Sequence, residues 1–426
     1  MVPRSIYLDV SPLRDSAPFR RIFVARLISL VAIGLLLVSV PVQMWNLTQS
    51  SAQVGAATAV TGATTFLGML VGGTLADRFD RKRLILVGRT GAGASFAGLA
   101  ANAFGAYGGE PSVAIVYLLA GVDGLIGALS TSALMAAVPT LIPREKLVAV
   151  GALSSLTVRL GTAVSPGIAG LLIASAGVEW AYVTAAALAT ITVLILIGLP
   201  AMPPDGPRMS DGPLPERPSL MRFLSTTPVV PGVMAVGVLA MLGAGVVALL
   251  PGLVAERFGG SAAVTGAMYA AVATGAMIAA LTSGWMTDLR RPGLVLLAAL
   301  ILAFSAQILF GLAPLLWLAI GLLLTVGFLE AAQEVLRYAL IQRNTPGPLL
   351  GRVNGIWMAQ EVGGVTVGAV VAGLIGSAWG ASDAIVYYGI VMVGLSIAAA
   401  LLLSGLRGTR GRNPAQVRGD VERTSR

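Results

Sequence analysis

Apolar residues come in long runs along the whole chain, separated by short polar interruptions. A run of about 18 residues or more crosses a ~30 Å hydrocarbon core as a helix. The first, LISLVAIGLLLVSVPVQMW (Leu27–Trp45), is long enough to do so. The pattern predicts twelve spans, at roughly 22–47, 52–75, 84–106, 112–140, 148–175, 181–200, 229–252, 262–286, 293–312, 315–341, 353–378 and 384–405. Between the sixth and seventh lies PAMPPDGPRMSDGPLPERPSLMRF (Pro200–Phe223), rich in Pro, Gly and charge, which reads as a flexible linker. The predicted fold class is an all-α integral membrane protein with twelve transmembrane helices in two six-helix halves. Residues 1–200 form the N-terminal half, 201–228 a cytoplasmic linker, 229–405 the C-terminal half and 406–426 a basic tail.

Two halves of equal span number suggest an internal repeat. Gly73-Thr-Leu-Ala-Asp77 follows the second span, and Gly284-Trp-Met-Thr-Asp288 follows the eighth. Ala169–Ile173 (AGLLI) in the fifth span echoes Ala372–Gly376 (AGLIG) in the eleventh. Their matching order favours a duplicated half.

Composition sharpens the membrane reading. The chain is 56% hydrophobic and 11% charged, with a mean hydropathy of +0.87. Its 53 glycines suit helices that pack closely through small residues. The first 22 residues carry Arg4, Asp9, Arg14, Asp15, Arg20 and Arg21 and no sustained apolar segment, so no cleavable signal peptide is expected. There is no cysteine and no histidine. Disulfides, thiol catalysis, Ser-His-Asp sites and Cys/His zinc sites are thereby excluded, and no cofactor or metal is expected.

The net charge of +9 is explained by where the basic residues fall. With the N-terminus inside, 23 of the 28 Lys and Arg lie in cytoplasmic segments, and only Arg257 lies in an outer loop. Arg26, Arg89, Arg159 and Arg337 lie within spans. That asymmetry places both termini in the cytoplasm and accounts for the basic balance without nucleic acid.

One loop carries more than orientation requires. GGTLADRFDRKRL (Gly72–Leu84) packs four basic and two acidic residues into Asp77–Arg83. It resembles motif A of the major facilitator superfamily, with Gly73, Leu75, Asp77, Arg78, Arg81 and Lys82 matching and Asp80 in place of the usual glycine. The resemblance implies a major facilitator fold. It also implies a gate latch in which the aspartate faces the N-terminal end of the eleventh helix, whose partial positive charge favours a carboxylate. RLGTAVSPGIAG (Arg159–Gly170) resembles the exporter-associated motif C, with Gly161, Pro166 and Gly170 matching and Ser165 and Ala169 replacing glycines. The fourth span lacks the arginine of motif B and carries Asp123 about where it would sit. Together with FVARLISLVAIGLLLVSVPVQMW (Phe23–Trp45) and LGRVNGIW (Leu350–Trp357), these strings resemble the bacterial enterobactin exporter family, in both halves. That implies export of a catecholate siderophore.

An ionisable residue near the bilayer centre costs about 2.5–3.5 kcal/mol and faces a cavity or a partner. Asp123 and Glu330 lie near mid-span; Glu361 and Arg159 lie well inside the eleventh and fifth spans, and Arg26 near the inner end of the first. Glu330, Glu334 and Arg337 share one helix face by their i, i+4, i+7 spacing. These groups read either as proton-exchanging and cavity residues or as permanent ion pairs with the intramembrane arginines. The only lysines are Lys82 and Lys146, and neither sits in a Walker A sequence, so that route to ATP hydrolysis is closed. The expected function is a secondary active, proton-driven siderophore exporter, acting as a monomer, with protons, a small-molecule substrate and the lipid bilayer as partners. The alternative is a broader drug or macrolide effluxer of the same superfamily. A receptor or scaffold, or an enzyme, finds no support in the residues.

Overall fold

The computed structural model describes residues 11–143, 146–203 and 219–409. Within them the chain is helical throughout, apart from connecting turns. A short α1 (Ser11–Asp15) leads into α2 (Ala17–Thr48), α3 (Ser51–Ala76), α4 (Arg81–Ala103), α5 (Val113–Leu141), α6 (Leu147–Ala176) and α7 (Val178–Ile197). Within the 201–228 region lies α8 (Leu220–Thr226), and after it come α9 (Val229–Ala244), α10 (Leu250–Arg257), α11 (Ala262–Leu281), α12 (Pro292–Leu312), α13 (Leu316–Asn344), α14 (Gly347–Trp379), α15 (Ala381–Leu402) and α16 (Ser404–Arg407). Among the described residues, 11 helices are long and apolar enough to cross a membrane, with α9 and α10 counted as one. The 30-residue α6 adds an apolar stretch at Leu160–Ala176.

Helix ends follow local chemistry. Ser16 caps α2, accepting from the Phe19 N–H at 3.3 Å, with a proline in the first turn. Gly177, at φ +101°, ends α6 and opens α7. Between α9 and α10 the chain tightens into a 3-10 stretch, Gly245–Leu249. Pro251, which has no N–H, lies in the first turn of α10. The Val247 carbonyl would be its α-helical acceptor, and the Tyr269 hydroxyl donates to that carbonyl at 3.2 Å.

The chain divides into two compact units. One comprises Met1–Met209, Val247–Ala270 and Ala369–Ala381. In it, glycines let helices touch at backbone level, as a lipid-exposed bundle requires. A β-carbon on Gly68 would land on the Leu125 carbonyl, which draws α3 onto α5; one on Gly88 would lie 2.6 Å from Ser130 Cβ, which draws α4 onto α5. Gly55 of α3 meets Ala369 and Gly373 of α14 in the same way. Ile22, Ile85, Leu196, Leu199 and Met202 gather the ends of α2, α4 and α7 into one hydrophobic cluster. The other unit comprises Ser210–Val246, Ala271–Gly368 and Ser382–Arg426. Its helices close on Gly243 against Phe304, Gly327 against Val272 and Gly368 against Leu242.

Candidate functional site

The charged loop between α3 and α4 is short because Asp80 starts the next helix at once. Its carboxylate accepts from the Arg83 N–H at 3.1 Å and caps α4. Its second oxygen accepts from the Met202 N–H at 2.9 Å, and the Arg81 N–H donates to the Met202 carbonyl at 2.9 Å. The loop is thereby tied to the chain leaving α7. Gly73 is exposed with no atom within 4 Å of a β-carbon there, so local packing does not require a glycine at this position. Asp77 and Arg78 are exposed, Lys82 is half-buried, and the Arg81 side chain is buried.

The motif on α6 is a contact surface. Gly161 admits Leu30 of α2, with a β-carbon there 2.7 Å from Leu30 Cβ. The Ser165 side chain fills the space a β-carbon on Gly34 would need. Gly170 lies against Gly266 of α11, where its β-carbon would stand 2.7 Å from the Gly266 Cα. Pro166 is inside the helix. The side chain of Arg159 lies outside the described residues.

Arg26 on α2, Arg89 on α4 and Asp123 on α5 come together. Arg89 is 8% exposed and lines two cavities. The smaller, about 200 Å³, is shared with Asp123, Thr61 and Thr65. The larger, about 460 Å³, is shared with Arg26, Met135 and Ser154. Arg89 interacts electrostatically with both Asp123 and Arg26, and its Nε has no acceptor. Gly124 positions Asp123 by letting α5 sit directly on Thr61 and Thr64 of α3. The cluster holds two guanidinium groups and one carboxylate.

In the second unit the arrangement is acidic. Arg337 of α13 is 1% exposed and pairs with Glu361 of α14, Nη1 to Oε1 at 3.2 Å. Its guanidinium carbon lies 5.0 Å from the centroid of the Trp357 ring, a cation–π arrangement. Gly237 of α9 leaves the room that Arg337 and Gln360 occupy. Glu330 interacts electrostatically with Arg337, and Glu334 with Glu361. Two carboxylates, Glu330 and Glu361, thus act on the Arg337 cation, and Glu334 acts on Glu361.

Sequence spacing alone did not single out three of these features. Arg89 was visible as a lone cation in an apolar run, but its partner is on another helix. The Arg337–Glu361 pair also crosses helices, where i, i+4 spacing is silent. Asp80 stood out only as a departure from the motif.

Residues 8–414 match the family model described as "Transmembrane secretion effector". The enterobactin exporter EntS of Citrobacter koseri is 42% identical over 416 residues, 97% of this chain and 98% of the relative. An Escherichia coli enterobactin exporter is 42% identical over 419 residues, 98% and 99% of the two chains. Among solved structures, a bacterial homologue of the lysosomal transporter Spinster, inward-facing and unoccupied, aligns with a TM-score of 0.72. It is 16% identical and covers 93% of this chain and 98% of its own. A POT family transporter in complex with a thioalcohol-conjugated peptide reaches 0.71 at 12% identity, covering 91% and 96%. At those identities the structures speak for the fold, and the sequence relatives carry the kinship. The chain is a multi-pass membrane protein that belongs to the transmembrane secretion effector family of the major facilitator superfamily.

Proposed function

We propose that this protein is a proton-driven exporter of a catecholate siderophore of the enterobactin class. The observation that carries the reading is the 42% identity to enterobactin exporters over essentially both full lengths. In this reading twelve spans form two six-helix halves, residues 1–200 and 229–405, joined by a cytoplasmic linker at 201–228. Both termini face the cytoplasm, as the basic-residue asymmetry favours. The protein works as a monomer and performs no covalent chemistry.

Export follows alternating access. Asp77, at the end of α3, sits against the positive N-terminal end of α14 when the cytoplasmic side is shut, with Arg78, Arg81 and Lys82 completing the latch. A proton taken up from outside resides on Asp123 or Glu330 and is released inside. A carboxylate deep in a span changes most in stability between its charged and neutral forms, so its proton state biases which conformation is preferred. Arg337 is the counter-charge for Glu330 and is itself paired with Glu361.

The test is a deletion strain grown under iron limitation. It should accumulate a catecholate inside the cell and release less, and the wild-type gene should restore release. An unchanged siderophore distribution, with lost macrolide resistance instead, would overturn the proposal in favour of drug efflux.

A further inference from the structure

We propose that the larger cavity, between α2, α4, α5 and α6, is a substrate subsite that selects an acidic aromatic group, a catecholate or hydroxybenzoate, on the guanidinium groups of Arg26 and Arg89. Its volume of about 460 Å³ is within the roughly 300–1,000 Å³ range of small-ligand pockets. No Asp or Glu is among the described residues that line it. Asp123 lines the smaller cavity, which shares Arg89, and balances one of the two cations. The remaining positive charge faces a space walled by Leu30, Ile33 and Met135. A cation in such surroundings is costly unless paired, and the Arg89 Nε still lacks an acceptor. A flat, electron-rich ring bearing oxygens matches both features. Its face packs on the aliphatic walls, and its oxygens accept from planar guanidinium forks. Thr131 and Ser154 add hydroxyls to its lining. A cationic drug would meet like charge there. The substrate class rests on the siderophore reading above; the charge preference rests on the cavity.

The experiment measures equilibrium binding to the full-length protein in lipid nanodiscs. The probes are protocatechuate (acidic), pyrocatechol (neutral) and ethidium (cationic). The wild type should bind protocatechuate most tightly and ethidium least. Arg26→Gln and Arg89→Gln should each weaken protocatechuate by about tenfold or more, the loss expected for a charged hydrogen bond, without weakening ethidium. Arg89→Lys should fall between. Ser154→Asp, which adds a carboxylate to the lining, should weaken protocatechuate and favour ethidium. If Arg89→Gln does not fold, Arg26→Gln and Ser154→Asp decide. Unchanged protocatechuate affinity in those two variants, with wild-type thermal stability, overturns the inference while leaving siderophore export standing. A wild type that prefers ethidium overturns both, and moves recognition to the acids of α13 and α14.

Discussion

Alanine at Gly170 would put a methyl group where α6 and α11 have no room. A β-carbon at that position lies 2.7 Å from the Gly266 Cα and 2.8 Å from the Ala262 carbonyl oxygen. Carbon–carbon contacts settle at about 3.5–4.0 Å. Both obstructing atoms are backbone, so no change of rotamer relieves the clash, and the helices must part by roughly 1 Å. Overpacking of this kind costs typically about 1–3 kcal/mol. Acting on one of two conformations, that is roughly a 5- to 150-fold shift in population. Gly170→Ala should therefore depopulate the state in which α6 meets α11. The chain has no cysteine of its own, so an introduced pair reports cleanly. A β-carbon on Gly167 of α6 stands 3.8 Å from Ala270 Cβ of α11, about the separation across a disulfide, which makes Gly167→Cys with Ala270→Cys an oxidative cross-link reporter. In the Gly170→Ala background, cross-linking should slow by about fivefold or more, and transport into inverted vesicles should fall with it. Gly266→Ala meets the same contact, so the double variant should cost less than the sum of the singles. Gly321→Ala, with no atom within 4 Å, serves as a silent control. Wild-type cross-linking and transport in Gly170→Ala would refute the reasoning.

Further predictions concern single polar contacts. Asp77→Asn should insert and express normally yet lose most transport, because the neutral side chain is not drawn to a helix terminus; normal efflux would reduce the loop to an orientation signal. Asp123→Asn or Glu330→Gln should abolish uptake driven by a pH gradient in inverted vesicles while sparing gradient-free exchange, and full gradient-driven transport in both would move the proton to Glu361. Glu361→Gln removes the hydrogen-bonded carboxylate from the buried Arg337 and leaves it the charge of Glu330 alone, so thermal denaturation in detergent should show destabilisation of about 1–3 kcal/mol; an unchanged melting temperature would mean the pair contributes nothing. Asp80→Ala removes both the α4 cap and the bond to Met202, a loss of about 1–2 kcal/mol, which hydrogen exchange at the Arg83 and Met202 amides should register as faster exchange.

The sequence located helices well where their ends are chemically marked. The expected span 52–75 became Ser51–Ala76, bounded by Ser50 and Asp77, and 293–312 became Pro292–Leu312, opened by a proline. The last expected span, 384–405, is instead α15 at Ala381–Leu402. The reason is Gly380, whose φ of +84° ends α14 and restarts a helix at once. The expected span 229–252 runs on to Arg257 and is broken within by the 3-10 stretch. Uniform apolarity conceals such a break, since hydropathy reports what a residue dissolves in and not what its carbonyl bonds to. The charged residues divide similarly. Asp123, Glu330 and Glu361 were legible as acids in apolar runs because each is anomalous alone. Arg89 between two cavities, and Arg337 shared by Glu361 and Trp357, depend on which helices are neighbours. Asp80 shows the same limit at shorter range: its cap of α4 is local, whereas its bond to Met202 joins positions far apart in sequence.

The hydroxyl of Tyr269 bonded to the Val247 carbonyl has a consequence for how this sequence drifts over evolutionary time. A proline at 251 withdraws a donor from a place where solvent does not readily supply another. The tyrosine supplies it from a neighbouring helix. The two positions are therefore epistatic: phenylalanine at 269 is harmful while Pro251 is present, and loses most of that harm once residue 251 regains its N–H. Alanine at 251 would in turn free position 269 from its polar requirement. Lineages that replace the proline can then lose the hydroxyl, whereas the reverse order must pass through a span in which the Val247 carbonyl keeps only the bond of its 3-10 turn.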